Sequence, residues 1–261
     1  MADPGAFKID VKEEFPHLSN APIVEAVLHW RAAAGRTLDQ ARIQDELGRR
    51  FANYDCREQQ HVGAAIQTSQ DGVEFRQQTR WDGFRLTGRG LADRFVVQFK
   101  PNGIVFSRLA KYPCWKSFQD EGLRFWEAYL ELAGPPVIER LGVRFINQIQ
   151  LGAADGPAVV LREPPNVPTG IGLLGGLFFY QDTLRVAGYP YQVNWIRTVQ
   201  PNAANDRMLI VDIDVSTEPN ELLERPQLLN RLAEMRFLKN KLFFTCITDQ
   251  ALRQFGEHHG D

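Results

Sequence analysis

The most constraining stretch of the chain is short. FVVQFK, residues 95–100, and IVFSR, residues 104–108, flank Pro101-Asn102-Gly103. Two β-forming runs so close together, separated by Asn-Gly, predict a hairpin. The expectation is a two-residue type I′ turn, with Asn102 and Gly103 taking the positive φ it demands. Asp71-Gly72 and Asp82-Gly83 punctuate residues 61–108 in the same way, so this region reads as an antiparallel meander.

Other segments supply further strands and the helices to cover them. From Ala21 to Arg31, alternation puts Val24, Ala26, Leu28 and Trp30 on one face, with Glu25, His29 and Arg31 on the other. From Glu139 to Leu151, Leu141, Val143, Phe145, Ile149 and Leu151 share a face broken by Asn147. Arg140, Arg144, Gln148 and Gln150 share the opposite one. Trp30, Phe145 and Ile149 are therefore expected to be buried. A helix is predicted from Leu38 to Phe51, with Thr37 as N-cap, Gln40 completing a capping box, and a stripe of Ile43, Leu47 and Phe51. A second runs from Cys114 to Leu132 on Trp115, Phe118, Phe125, Trp126 and Tyr129, and Pro135-Pro136 stops it. Residues 152–176 are loop-like. Strands follow near 191–199 and 208–215. A helix then opens at Pro226 and carries Leu228, Leu232 and Met235, and Thr248 caps a last short helix. The fold class is α+β: antiparallel sheets with helices packed on one face. Strands followed by helix in both halves suggest two related units. The expected organisation is a leader over 1–19 and subdomains over 20–151 and 152–261.

Composition narrows the class without naming a partner. The 261 residues are 44% hydrophobic and 24% charged with a formal net charge of −2, which is ordinary globular composition. Cys56, Cys114 and Cys246 are too scattered for a disulfide framework or a zinc site. The N-terminal residues lack a signal-peptide run, and the longest uncharged stretch, 164–181, carries three prolines and four glycines. The expectation is a cytoplasmic protein with no membrane span.

Two segments are more specific. Ala21-Pro22-Ile23-Val24-Glu25-Ala26-Val27 and Arg140-Leu141-Gly142-Val143-Arg144-Phe145-Ile146-Asn147 resemble the PIVEAV-like and RLGxRFIN-like markers of an uncharacterised, sporadically distributed bacterial and archaeal protein family. Phe243-Phe244-Thr245-Cys246-Ile247-Thr248 is similar to that family's ending. Many relatives have a histidine in the last long helix, whereas this chain has none between His61 and His258. The resemblance covers nearly the whole chain and implies no activity or cofactor. It implies a gene of the mobile, accessory or defence-linked kind.

Chemical motifs are sparse. Gly170-Ile171-Gly172-Leu173-Leu174-Gly175 matches GxGxxG in letters. Prolines precede it where a strand is needed, and no acid lies at Tyr189–Arg197, so dinucleotide binding is not expected. Asp212 and Asp214 share a strand face, as a hard-cation site would need, but no further ligands follow in rhythm; a solvated face is the plainer reading. Glu25, His29 and Arg31 could transfer protons, yet cross-strand pairing with Arg140 or Arg144 is commoner. GxSxG, HExxH and GxxxxGK[ST] are absent, and His258 and His259 sit near the end of the sequence. No cofactor or metal is expected.

Charge distribution is the remaining signal. Residues 76–116 hold nine Lys and Arg against Asp82 and Asp93, +7 net, which leaves −9 for the rest. Trp81, Phe84, Phe95, Phe99, Phe106, Tyr112 and Trp115 interleave with these charges. Exposed, they could stack bases; on a half-buried sheet they would face the core. Arg80, Arg85, Arg89 and Arg94 are the candidate anion or partner contacts, and Glu25 with Arg144 the candidate polar cluster. The expected function is a non-enzymatic binding or interaction protein, of a defence or toxin-related kind, with a protein partner. Nucleic-acid or nucleotide binding through the basic sheet is the alternative. A third is a hydrolase assembled from Glu25, Arg144, Asp212 and Asp214.

Overall fold

The structure, a computed structural model, describes residues 7–69, 72–90, 94–109, 111–152, 155–165, 176–202, 204 and 206–258; for 62–69, 72–79, 257 and 258 it describes the backbone. After a short β1 (His17–Leu18), the chain forms β2 (Ile23–Ala33), α1 (Gln40–Arg50), β3 (Tyr54–Ser69), β4 (Gly72–Gly88), β5 (Phe95–Lys100), β6 (Gly103–Leu109) and α2 (Trp115–Ala133). It continues through β7 (Val137–Gln150), β8 (Phe178–Arg185), β9 (Gln192–Pro201), β10 (Arg207–Thr217), α3 (Arg225–Cys246), α4 (Asp249–Gln254) and β11 (Glu257–His258). The expected antiparallel sheets join into one of nine strands, in the order β3-β4-β5-β6-β2-β7-β10-β9-β8. The order repeats a plan. In each half the first strand, β2 or β7, lies at the centre, and a meander then returns from the rim to its side and is followed by a helix. β2 and β7 pair with each other, so the sheet is continuous across residue 151. β1 pairs with β11 apart from it.

Alternation decides which face is covered. Ala26, Leu28 and Trp30 of β2, Leu141, Val143 and Phe145 of β7, and Leu209, Val211, Ile213 and Val215 of β10 point to the helix layer and are buried. Trp30 stacks on Trp126 of α2, with ring centroids 5.6 Å apart. Phe118 packs on Phe145 and Phe106. The predicted burial holds: Trp30 is 0%, Phe145 1% and Ile149 5% exposed.

Local details correct two expectations and add one strand. The cap of α1 is Asp39 rather than Thr37; its Oδ1 accepts from the Arg42 N–H at 3.1 Å. Asp is as good a cap as Thr, and its position sets the start two residues later. The β5–β6 turn is not type I′. Lys100 pairs with Gly103, which leaves Pro101 and Asn102 as the central residues. Proline fixes a negative φ at the first of them, and Asn102 has no positive φ; only Gly103 does, at 132°. Lastly, FFYQDTLR, read as neither strand nor helix, forms the edge strand β8. It is held to β9 by backbone pairing and by Arg197, which is buried, pairs with Asp182 and lies over the Trp195 ring at 3.6 Å. Thr248 caps α4 as expected, its Oγ1 accepting from the Ala251 N–H.

Candidate functional site

The helix-free face of the sheet carries a lattice of charges. Reading the register across it, Arg57, Arg85, Gln98, Val105, His29, Gly142 and Ser216 form one row. Thr87, Val96, Ser107, Val27, Arg144, Asp214 and Asn194 form the next. The Arg144 guanidinium donates two hydrogen bonds to Asp212, Nε to Oδ1 at 2.9 Å and Nη2 to Oδ2 at 2.6 Å. Asp212 is 4% exposed. Arg140 donates to Asp214 at 2.7 Å and meets His29 Nδ1 at 2.7 Å. Arg31 pairs with Glu139 and Lys100 with Asp82.

These contacts tune the titrating groups. Burial, then the charges of Arg140, Arg31 and Lys100, lower His29 to about 4. At neutral pH its unprotonated Nδ1 accepts from Arg140. Burial raises the Asp214 carboxyl above the ordinary range although Arg140 opposes it. The hydrogen bonds it donates to Asp212, then the nearby charges of Asp212, Asp214 and Glu25, hold Arg144 in its charged form. Both aspartates are engaged by guanidinium groups. No cluster of three or more metal-ligating side chains occurs among the described residues.

The structure thus brings Glu25, Arg144, Asp212 and Asp214 onto one face. Glu25 sits diagonal to Arg144, two residues along β2 from Val27, its cross-strand neighbour. The basic candidates scatter by role. Arg85 is exposed on the same face and lies directly opposite Arg57, also exposed, across β3–β4. Neither has a carboxylate partner among the described residues, and Arg80, exposed, pairs in register with His61. Arg89 is tied down by the Ala52 carbonyl at 2.9 Å and Asp55 at 3.5 Å. Arg94 is a turn residue with φ 71°, and its carbonyl accepts from Leu109. The aromatics between these charges do not form a platform: Phe84, Phe95, Phe99 and Phe106 lie in the core. Gly170–Gly175 lies outside the described residues.

A second feature escaped the sequence. On the helix side, a cavity of about 310 Å³ lies between the 15–23 segment, the approach to α2 and one face of α3. Arg236, Lys239, Asn240 and Phe243 face it from α3, at helical spacing. The Lys239 ammonium rests over the Phe145 ring, 3.8 Å from its centroid. Nothing in α3 marks Lys239 as different from a surface lysine; only the tertiary arrangement encloses it.

Comparison with family models, with curated proteins and with solved structures returns no match.

Proposed function

We propose that this protein is a non-enzymatic interaction protein that receives an acidic protein segment on the helix-free face of its sheet. The observation that carries the reading is the Arg57–Arg85 pair. Like charges directly opposite on neighbouring strands repel, and an incoming carboxylate relieves that repulsion. Arg80 adds a third cation on the same rim. The acid–base groups on this face are already committed to each other, Arg144 to Asp212 and Arg140 to Asp214. That commitment favours binding over hydrolysis. Nucleic acid is the second reading, favoured by the same unpaired arginines. It ranks lower because the aromatics that would stack bases point to the core. The 17-residue β4 and its partner β3 extend this basic rim beyond β5. The resemblance to a sporadically distributed family suits a role in a microbial defence or toxin-related system of the cytoplasm. The repeated strand order suits descent from a duplicated unit.

The test uses poly-L-glutamate, single-stranded DNA and single-stranded RNA as probes in a salt titration, with wild type beside an Arg57→Ala/Arg80→Ala/Arg85→Ala variant. Arg89 stays, because it braces the α1–β3 loop. Poly-glutamate binding that weakens with salt and is lost in the variant is the expected result. Tighter nucleic-acid binding, with a log-log salt slope of about one per phosphate contacted, moves the second reading to first place. No binding to any probe at low salt, or equal binding by both proteins, removes the basic rim as a site.

A further inference from the structure

The cavity on the helix side has an unusual charge balance. Arg236, Lys239 and His17 line it, and among the described residues no aspartate or glutamate does. The cations that neighbouring groups hold are held by rings: Lys239 lies over Phe145, and the Arg236 guanidinium is 5.7 Å from the Trp115 centroid. No ion pair reaches the Lys239 ammonium among the described residues. Lys239 is half-buried, and a cation drawn out of water without a counter-charge is costly. That cost appears in the amine itself: burial, then the Arg236 charge, lower Lys239 to about 7. The 19-residue α2 begins at the same wall. Its N-cap, Cys114, lines the cavity and makes no side-chain capping bond. Asn147, buried on β7, and Asn240 add polar atoms. The rest of the lining is mostly apolar, Phe15, Leu18, Ile23, Trp115, Phe243 and Phe244 among it, with Ser19, Tyr112 and Cys114 as further polar members.

We propose that this cavity binds a small molecule with an anionic head group and an apolar or aromatic body. Lys239 and Arg236 hold the head, while Phe15, Trp115 and Phe244 enclose the body. The volume lies at the small end of ligand sites, enough for a single ring with its head group. Carboxylate and phosphate heads share the chemistry that these cations recognise. The site is on the opposite side of the sheet from the basic rim, so it stands or falls independently of the acidic-partner reading.

Calorimetric titration with phenylacetate, phenyl phosphate and phenylacetamide tests the assignment. At least one anion saturates the protein with 1:1 stoichiometry, and the isosteric amide binds at least about tenfold more weakly, because it offers no charge to the two cations. The preferred anion identifies the head group. Lys239→Met keeps an unbranched chain against Phe145 and removes the charge, so the variant folds and loses about tenfold or more in affinity. Arg236→Gln, at an exposed position, weakens binding several-fold with unchanged melting. Absence of saturable binding up to roughly 10 mM of either anion overturns the proposal. So does equal binding of the amide, or wild-type affinity in both folded variants.

Discussion

Arg144 and Asp212 show what one register contact decides. A lysine at 144 would keep the charge but replace two parallel donors with a single point. Arg144→Lys should cost about 1–2 kcal/mol of unfolding free energy. Arg144→Met should cost more, about 3–5 kcal/mol, because it strands a carboxylate that is 4% exposed. Urea titrations of both variants at pH 7 check the order. His29 yields a pH prediction of definite sign. Its folded value of about 4 lies below the ordinary 6.5, so between those values the unfolded chain binds a proton that the folded one refuses. Stability is therefore fully present above pH 6.5 and falls as pH drops toward 4, with a limiting slope of about 1.4 kcal/mol per pH unit. Asp214, whose carboxyl is raised by burial, contributes the opposite sign, so the His29 part of the slope between pH 6.5 and 4 is isolated by substitution. His29→Asn, which keeps an acceptor for Arg140, should flatten the urea-midpoint profile in that window. An unchanged profile would assign the acid sensitivity to other groups.

The β5–β6 hairpin carries the element-scale prediction. Gly103 opens β6 at φ 132°, and a Cβ there would sit 1.9 Å from the Trp30 carbonyl oxygen. Backbone cannot yield as a flexible side chain could. Gly103→Ala should destabilise by at least about 2–3 kcal/mol in thermal or urea unfolding, whereas Asn102→Ala in the adjoining turn should cost less. The comparison with sequence is instructive at this scale. Leu28, Trp30, Val143 and Phe145 announced their strands because each alternation is complete within a few residues, and the stripe Phe118, Phe125 and Tyr129 announced α2 in the same local way. The PNG turn was recognised but misassigned, because proline one residue earlier moved the central pair. β8 was missed because Phe179, Tyr180 and Leu184 are all exposed, so an edge strand buried on neither side presents no inward-facing pattern to read. The Arg144–Asp212 bond joins residues 68 positions apart, and the Arg57–Arg85 opposition depends on a bulge at Gln59/Gln60 shifting the register correctly. Lys239 was illegible for the same reason: it rests over Phe145, and the cavity it lines is walled by Phe15 and Tyr112 from distant segments.

At the scale of the whole molecule, the β2–β7 seam dominates. Residues 152–261 expressed alone would leave β10 without β7 along its inner edge and expose Ile213 and Leu209 beside it. That fragment should stay unfolded by circular dichroism, whereas co-expression with 20–151 should restore β-sheet signal. A well-folded isolated fragment would favour two independent subdomains. No helix among the described residues is long and apolar enough to cross a membrane. The seam also sets a clock. β5 and β6 meet through a two-residue turn, while Ala26 finds Phe145 across 145 − 26 = 119 positions of chain. Loop closure over that span is entropically dearer, though only logarithmically so, and topologies rich in such contacts fold slowly. Each meander can gather locally long before the two halves zip. During that interval the inner edges of β2 and β7 lie open to each other and to any neighbouring chain, so crowding during refolding, rather than lack of final stability, is the condition under which this protein is most prone to mispair.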